Sequence, residues 1–90
     1  MMSEPTPTLL EFPCSFPVKA MGRATDDFES LVSELILEHA SLVEGEPIQS
    51  RPSKDGNYVS ITAVIEAESQ AQLDAIYLAL TDCNAVLLAL

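Results

Sequence analysis

Residues 52–77, PSKDGNYVSITAVIEAESQAQLDAIY, place a turn, an alternating strand and a capped amphipathic helix in direct succession. Lys54-Asp55-Gly56-Asn57 has the chemistry of a chain reversal, because Gly and Asn both tolerate positive φ, and it predicts a hairpin. Val59, Ile61, Ala63, Ile65 and Ala67 then alternate with Tyr58, Ser60, Thr62, Val64 and Glu66. That period of two is expected of a strand buried on one face. Ser69 opens the following helix as its N-cap, with Gln72 placed to reach back and complete a capping box. Leu73, Ile76, Tyr77 and Leu80 form its core stripe, and the helix is expected to stop around Thr81 to Asn84.

Working outward toward the N-terminus, Pro47 to Pro52 reads as a short strand. Its two prolines mark it as an edge strand, since each removes a ladder donor. Upstream of it, Phe28, Leu31, Val32, Leu35 and Ile36 recur at three- and four-residue spacing, the stripe of a helix. Asp26 is the expected cap, Glu29 completes the box, and the helix is expected to run to Ala40–Glu44, with Gly45 as breaker. Ser15 to Gly22 is the first strand, with Phe16, Val18 and Ala20 inward and Pro17, Lys19 and Met21 outward. Ala85 to Leu90 is the last. The order is therefore βαββαβ, an α+β chain. Right-handed crossovers fold it as a ferredoxin-like sandwich: a four-stranded antiparallel sheet ordered 4-1-3-2, with two helices on one face.

Ninety residues suffice for one small domain,. We assign residues 1–10 to an N-terminal tail and 11–90 to the domain. No apolar run approaches the ~20 residues of a membrane helix, and residues 1–8 lack the basic start and apolar stretch of a secretory signal. The expected location is the cytoplasm. Four basic against fourteen acidic residues give a formal charge of −10. Such a balance repels phosphate backbones and anionic lipids, so neither nucleic acid nor membrane is an expected partner. The sheet topology puts Cys14 and Cys83 at opposite ends of antiparallel neighbours, roughly 20 Å apart at ~3.3 Å per residue. That is beyond the reach of a disulfide, and two free thiols are expected.

Catalytic chemistry finds little footing. The soft metal ligands His39, Cys14 and Cys83 are far apart in the chain, so no metal site and no cofactor are expected. His39 falls on the packed side of the first helix near its end, where imidazole suits the terminal carbonyls. Asp26, Asp27 and Glu29 suit a helix's first turn. No Ser-His-Asp or Cys-His pairing is supported, and three isolated glycines make no phosphate loop,. The chain does not read as an enzyme.

Three surfaces are candidates for function. The second helix carries Ala71, Ala75, Leu78 and Ala79 opposite its core stripe, and the last strand is apolar on both faces, Leu88 included, although it is expected at a sheet edge. Together they suggest a partner interface, with another protein or a second copy as occupant. The open sheet face is expected to gather Lys19, Met21, Gln49, Arg51, Tyr58, Ser60 and Thr62. That face carries too few aromatics for RNA stacking, and is either solvated or suited to a small anion.

The third surface comes from a resemblance. The blocks Phe12-Pro-Cys-Ser-Phe-Pro-Val-Lys-Ala-Met-Gly22 and Ser53-Lys-Asp-Gly-Asn-Tyr-Val-Ser-Ile-Thr62, followed by Gln72-Leu73 and Ile76-Tyr77, resemble the YbeD-like family of small bacterial proteins. The resemblance implies a ferredoxin-like, ACT-domain-like fold and no established activity. It also carries a suggested regulatory role and an association with lipoate metabolism in some bacteria. ACT-like domains bind amino acids near the turn from the first strand into the first helix. By that analogy Gly22 would admit a ligand to the backbone and Arg23 would meet its carboxylate.

Overall fold

The computed structural model describes residues 11–90, so the tail assigned to residues 1–10 lies outside the described residues. Strand β3 (Tyr58–Ala67) is the spine of the sheet, and its alternation is the one read from the sequence: Ile61, Ala63, Ile65 and Ala67 are fully buried. Strand β1 (Cys14–Arg23) pairs with it antiparallel along its whole length, from Cys14 opposite Ala67 to Arg23 opposite Tyr58. Strands β2 (Gln49–Pro52) and β4 (Val86–Ala89) complete the order β2-β3-β1-β4, which is the expected 4-1-3-2 seen from the other side. Helices α1 (Phe28–Leu37) and α2 (Gln70–Asp82) cover one face. Phe28, Val32 and Ile36 from α1 and Leu73, Ile76 and Leu80 from α2 meet Val18, Ala20 and the β3 residues in a single core. Burial of a large aliphatic or aromatic side chain contributes about 1.5–3 kcal/mol, which makes this cluster the main source of stability.

The junction of β1 and α1 is fixed by steric fit. Gly22 is buried, and a Cβ there would overlap the Ala85 carbonyl oxygen and the Phe28 ring, coming within 2.8 Å of Phe28 Cζ. Phe28 must sit against this glycine, and α1 starts there. The expected Asp26 cap is therefore displaced by one residue. Asp27 holds the N-cap position, and its side chain makes no cap hydrogen bond. Its carboxylate instead accepts from Thr25 Oγ1 at 3.0 Å, while Thr25 O accepts from Phe28 N at 3.3 Å.

Helix α1 also ends earlier than its periodicity suggested. It closes at Leu37, and the His39 and Ala40 amides both donate to Ile36 O at 3.0 Å. The chain then leaves to serve the sheet. Val43 N donates to Val64 O, Glu66 N donates to Ser41 O, each at 2.9 Å, and Leu42 bridges to Ile65. β2 reaches only Val59–Thr62, so residues 41–43 satisfy the part of β3 that β2 leaves bare,. His39 accordingly lies beyond the helix and is exposed, which corrects its expected packing. Its carbonyl oxygen accepts from Gln72 Nε2 at 2.9 Å. The α2 cap forms as read, with Ser69 Oγ accepting from Gln72 N at 3.1 Å. Gln72 Oε1, however, reaches back to the Glu68 amide at 2.7 Å, one residue before the expected contact. One side chain thus joins the exit of α1 to the entrance of α2.

Prolines fit this sheet because of where their missing donors point. Lys19 exchanges both backbone hydrogen bonds with Leu90, at 3.1 and 2.8 Å, so odd-numbered β1 residues face β4. Pro17 therefore points toward the stretch of β1 that β4 does not reach, and no ladder bond is lost,. In β2, Ser53 N donates to Tyr58 O, and by alternation Pro52 faces outward from the sheet. Both cysteines are free thiols at opposite ends of β1: Cys14 pairs with Ala67, and Cys83 precedes β4 beside Gly22.

Replacing Gly22 with Ala forces a methyl group into backbone and ring. Overpacking of this kind costs about 1–3 kcal/mol. Urea unfolding of Gly22→Ala is expected to show a lower midpoint at unchanged slope, whereas Gly45→Ala, at a position with open space but positive φ, tests backbone strain separately.

Candidate functional site: the open sheet face

Even-numbered residues of β3 and odd-numbered residues of β1 and β2 point away from the helices. The cross-strand register arranges them in rows. Lys19, Thr62 and Gln49 form one row, Met21, Ser60 and Arg51 the next, and Arg23 stands opposite Tyr58 at the end. Leu88 extends the middle row as the partner of Met21 on β4. Lys19, Gln49, Ser50, Arg51, Ser60 and Thr62 line a depression of about 510 Å³. Its floor is hydroxyl, its two charged walls are both cationic, and among the described residues no carboxylate borders it. An adjoining depression of about 160 Å³ is lined by Met21, Arg51, Pro52, Ser53, Tyr58, Val59 and Ser60. The two share Arg51 and Ser60.

Arg23 belongs to this face, which the sequence reading did not foresee. β1 runs one residue past Gly22, and the Lys19, Met21, Arg23 alternation, already present in the sequence, carries the guanidinium over the Tyr58 ring at 5.9 Å from its centroid. Arg23 therefore shares this face with Lys19 and Arg51. Gly22 faces the other way, and the side on which it lacks a Cβ is filled by Phe28 and Ala85. The two residues assigned to one ligand turn lie on opposite sides of the sheet.

The hairpin from β2 into β3 anchors the far end of the face. Ser53 O accepts from Gly56 N at 3.0 Å, and Gly56 takes the positive φ of 81° that the turn needs. Asn57 does not adopt positive φ. Its amide donates to Asp55 Oδ1 at 3.3 Å, Ser53 Oγ donates to the same oxygen at 2.9 Å, and Tyr58 N donates to Ser53 Oγ at 3.1 Å. These bonds, the Ser53 hydroxyl foremost, hold the Asp55 carboxyl below its ordinary 3.8,.

The proposed partner interface is distributed differently from its reading in the sequence. On α2, Ala75 and Ala79 are half-buried within the fold, while Ala71 and Leu78 are exposed, Leu78 at 64%. β4 is the outer strand as expected, with Leu87 at 58% and Leu88 at 48% exposure, and a register irregularity between Met21 and Gly22. Tyr77, on the core side of α2, packs edge-on against Phe16 at 6.5 Å and donates its hydroxyl to the Leu90 oxygen at 2.6 Å. Burial pushes its phenol above the ordinary 10.0, so this contribution holds below that pH and is lost as pH rises through the higher folded value,. Among the described residues no group of three or more His, Cys, Asp or Glu is placed to hold a metal ion, and no helix is long and apolar enough to cross a membrane.

A family described as protein of unknown function, DUF493, matches residues 7–90. The chain belongs to the DUF493 family. Its resemblance to the YbeD-like small bacterial proteins is upheld by these relatives. A UPF0250 protein of Neisseria gonorrhoeae is 46% identical over 74 residues, covering 82% of this chain and 81% of the relative. Another UPF0250 protein, from Paraburkholderia phytofirmans, is 39% identical over 80 residues, covering 89% and 90%. The solution structure of protein HP0495 from H. pylori superposes with a TM-score of 0.73 at 17% identity, over 100% of this chain and 94% of that one, and so shares the fold.

The Asp55 contacts set a sign. Its folded value is depressed, so its stabilisation of the hairpin is present above the unfolded value near 3.8 and is lost as pH falls through the folded value,. Comparing acid unfolding of the native chain with Asp55→Asn tests this. The variant is expected to have a shallower loss of stability below about pH 4, and parallel curves would remove Asp55 as a contributor.

Proposed function

We propose that this DUF493 chain is a small regulatory or adaptor domain that works by binding another protein or a second copy of itself, without chemistry of its own. The carrying observation is the apolar band along the outer strand: Met21 and Leu88 side by side on the open face and Leu87 at the edge, none buried by the fold. Soluble proteins normally guard a sheet edge with charge, and β4 has none,. Leu78 adds a further exposed apolar side chain, on α2, the helix that lies over β4. The rival reading, a sensor of amino acids or other small carboxylates linked to lipoate metabolism, drew on the Gly22–Arg23 turn. It has less support there, because Phe28 and Ala85 fill the space beside Gly22.

Burying a leucine contributes about 1.5–3 kcal/mol, so putting a carboxylate in its place at an interface should weaken binding at least about tenfold. Leu88→Glu and Leu78→Glu, made separately, are expected to lower the mass seen by light scattering or to abolish capture of whatever the native chain captures, with circular dichroism unchanged. If both variants assemble and capture as the native chain does, the association reading is lost.

A further inference from the structure

Charge on this chain is segregated. Its four basic residues, Lys19, Arg23, Arg51 and Lys54, stand on the open face or in the hairpin that borders it, although acidic residues outnumber them fourteen to four. Glu66 is the described acidic residue on β1, β2 or β3, and it sits at the opposite end of β3, paired with Ser15. Asp55, in the hairpin, is engaged by Ser53 and Asn57. A face that served solubility alone would mix both signs. This one instead alternates cation, thioether and cation along β1, with Lys19, Met21 and Arg23 stepping at about 6.6 Å. The depression between Lys19 and Arg51 is polar, and its neighbour, with Met21 and Tyr58, is mostly apolar.

We propose that the open sheet face is the docking surface for an acidic protein segment that also carries apolar side chains. Its carboxylates meet Lys19, Arg23 and Arg51, and its apolar groups settle on Met21, Tyr58 and Leu88. The inference rests on the association reading above and supplies the chemistry of the partner. Complementarity of charge selects the partner and speeds encounter, while Arg23 and Arg51 can each grip a carboxylate with two donors. The same cations would attract a nucleic acid, but the rest of the surface argues against one. From Lys19 to Arg23 the face spans about 13 Å, close to the screening length of about 8–10 Å in ordinary salt. A short acidic segment fits inside it. A phosphodiester chain runs past it into the acidic surroundings, and single-strand recognition wants several aromatic platforms where this face offers Tyr58.

The test is an NMR titration of the full chain with three synthetic peptides of equal length that alternate Leu with Glu, with Gln or with Lys, and with an oligothymidylate. The Glu peptide is expected to shift the amides of Met21, Arg51 and Thr62, and to lose at least tenfold in affinity between about 50 and about 300 mM salt. The doubly substituted Lys19→Glu, Arg51→Glu chain, folded by circular dichroism, is expected to lose at least tenfold as well. Equal binding of the Gln peptide at this face would overturn the acidic partner while leaving association through apolar contacts intact. Binding of the oligothymidylate but not the Glu peptide would overturn it in favour of nucleic acid. Shifts confined to other surfaces, or no binding by any probe, would also overturn it; the association reading is then judged by the Leu88→Glu and Leu78→Glu variants.

Discussion

The contact on which the fold turns is the meeting of Gly22, the Phe28 ring and the Ala85 carbonyl. Three elements converge there: the end of β1, the first residue of α1 and the approach to β4. Because Gly22 presents no Cβ, the ring can pack close against the strand, and α1 is drawn in close enough for Val32 and Ile36 to reach the core. The same contact decides where α1 begins, overriding the capping preference of Asp26. It also decides which way the next side chain points: with Gly22 committed to the helix side, Arg23 has to emerge on the other.

Two layers of information in the sequence behave differently. Period-two and period-3.6 patterns were legible wherever burial alone set them, as in Ile61-Ala63-Ile65-Ala67 or Leu73-Ile76-Leu80, because one-sided burial prints its period on the chain. Side-chain capping was legible at Ser69, where nothing competes with it. It misled at Asp26, where packing of Phe28 does. The stretch from Glu38 to Val43 misled for another reason. Leu42 and Val43 suit a helix continuation as well as a strand, and only the unpaired backbone of β3, distant in sequence, settles the matter.

The open face was legible for Lys19, Gln49, Arg51, Tyr58, Ser60 and Thr62, since their parity follows from the strands. Arg23 was read as part of a turn because strand ends are set by pairing partners, here Tyr58, and not by local preference. The partner surface expected on α2 is partly occupied by the fold itself. Ala75 and Ala79 look unpartnered on a helical wheel, yet a two-layer fold leaves little of a helix's flank untouched, and both are half-buried.

The placement of the prolines has a consequence for how this sheet meets other strands. Pro52 leaves a gap in the row of donors along the outer edge of β2, and Pro17 does the same on the half of β1 beyond the reach of β4. A foreign strand aligning with either would find the hydrogen-bonding rhythm broken, so neither edge is a good seed for fibril growth. β4 has no such interruption. Any lateral extension of the sheet is thereby channelled to a single side, the one that β4 presents.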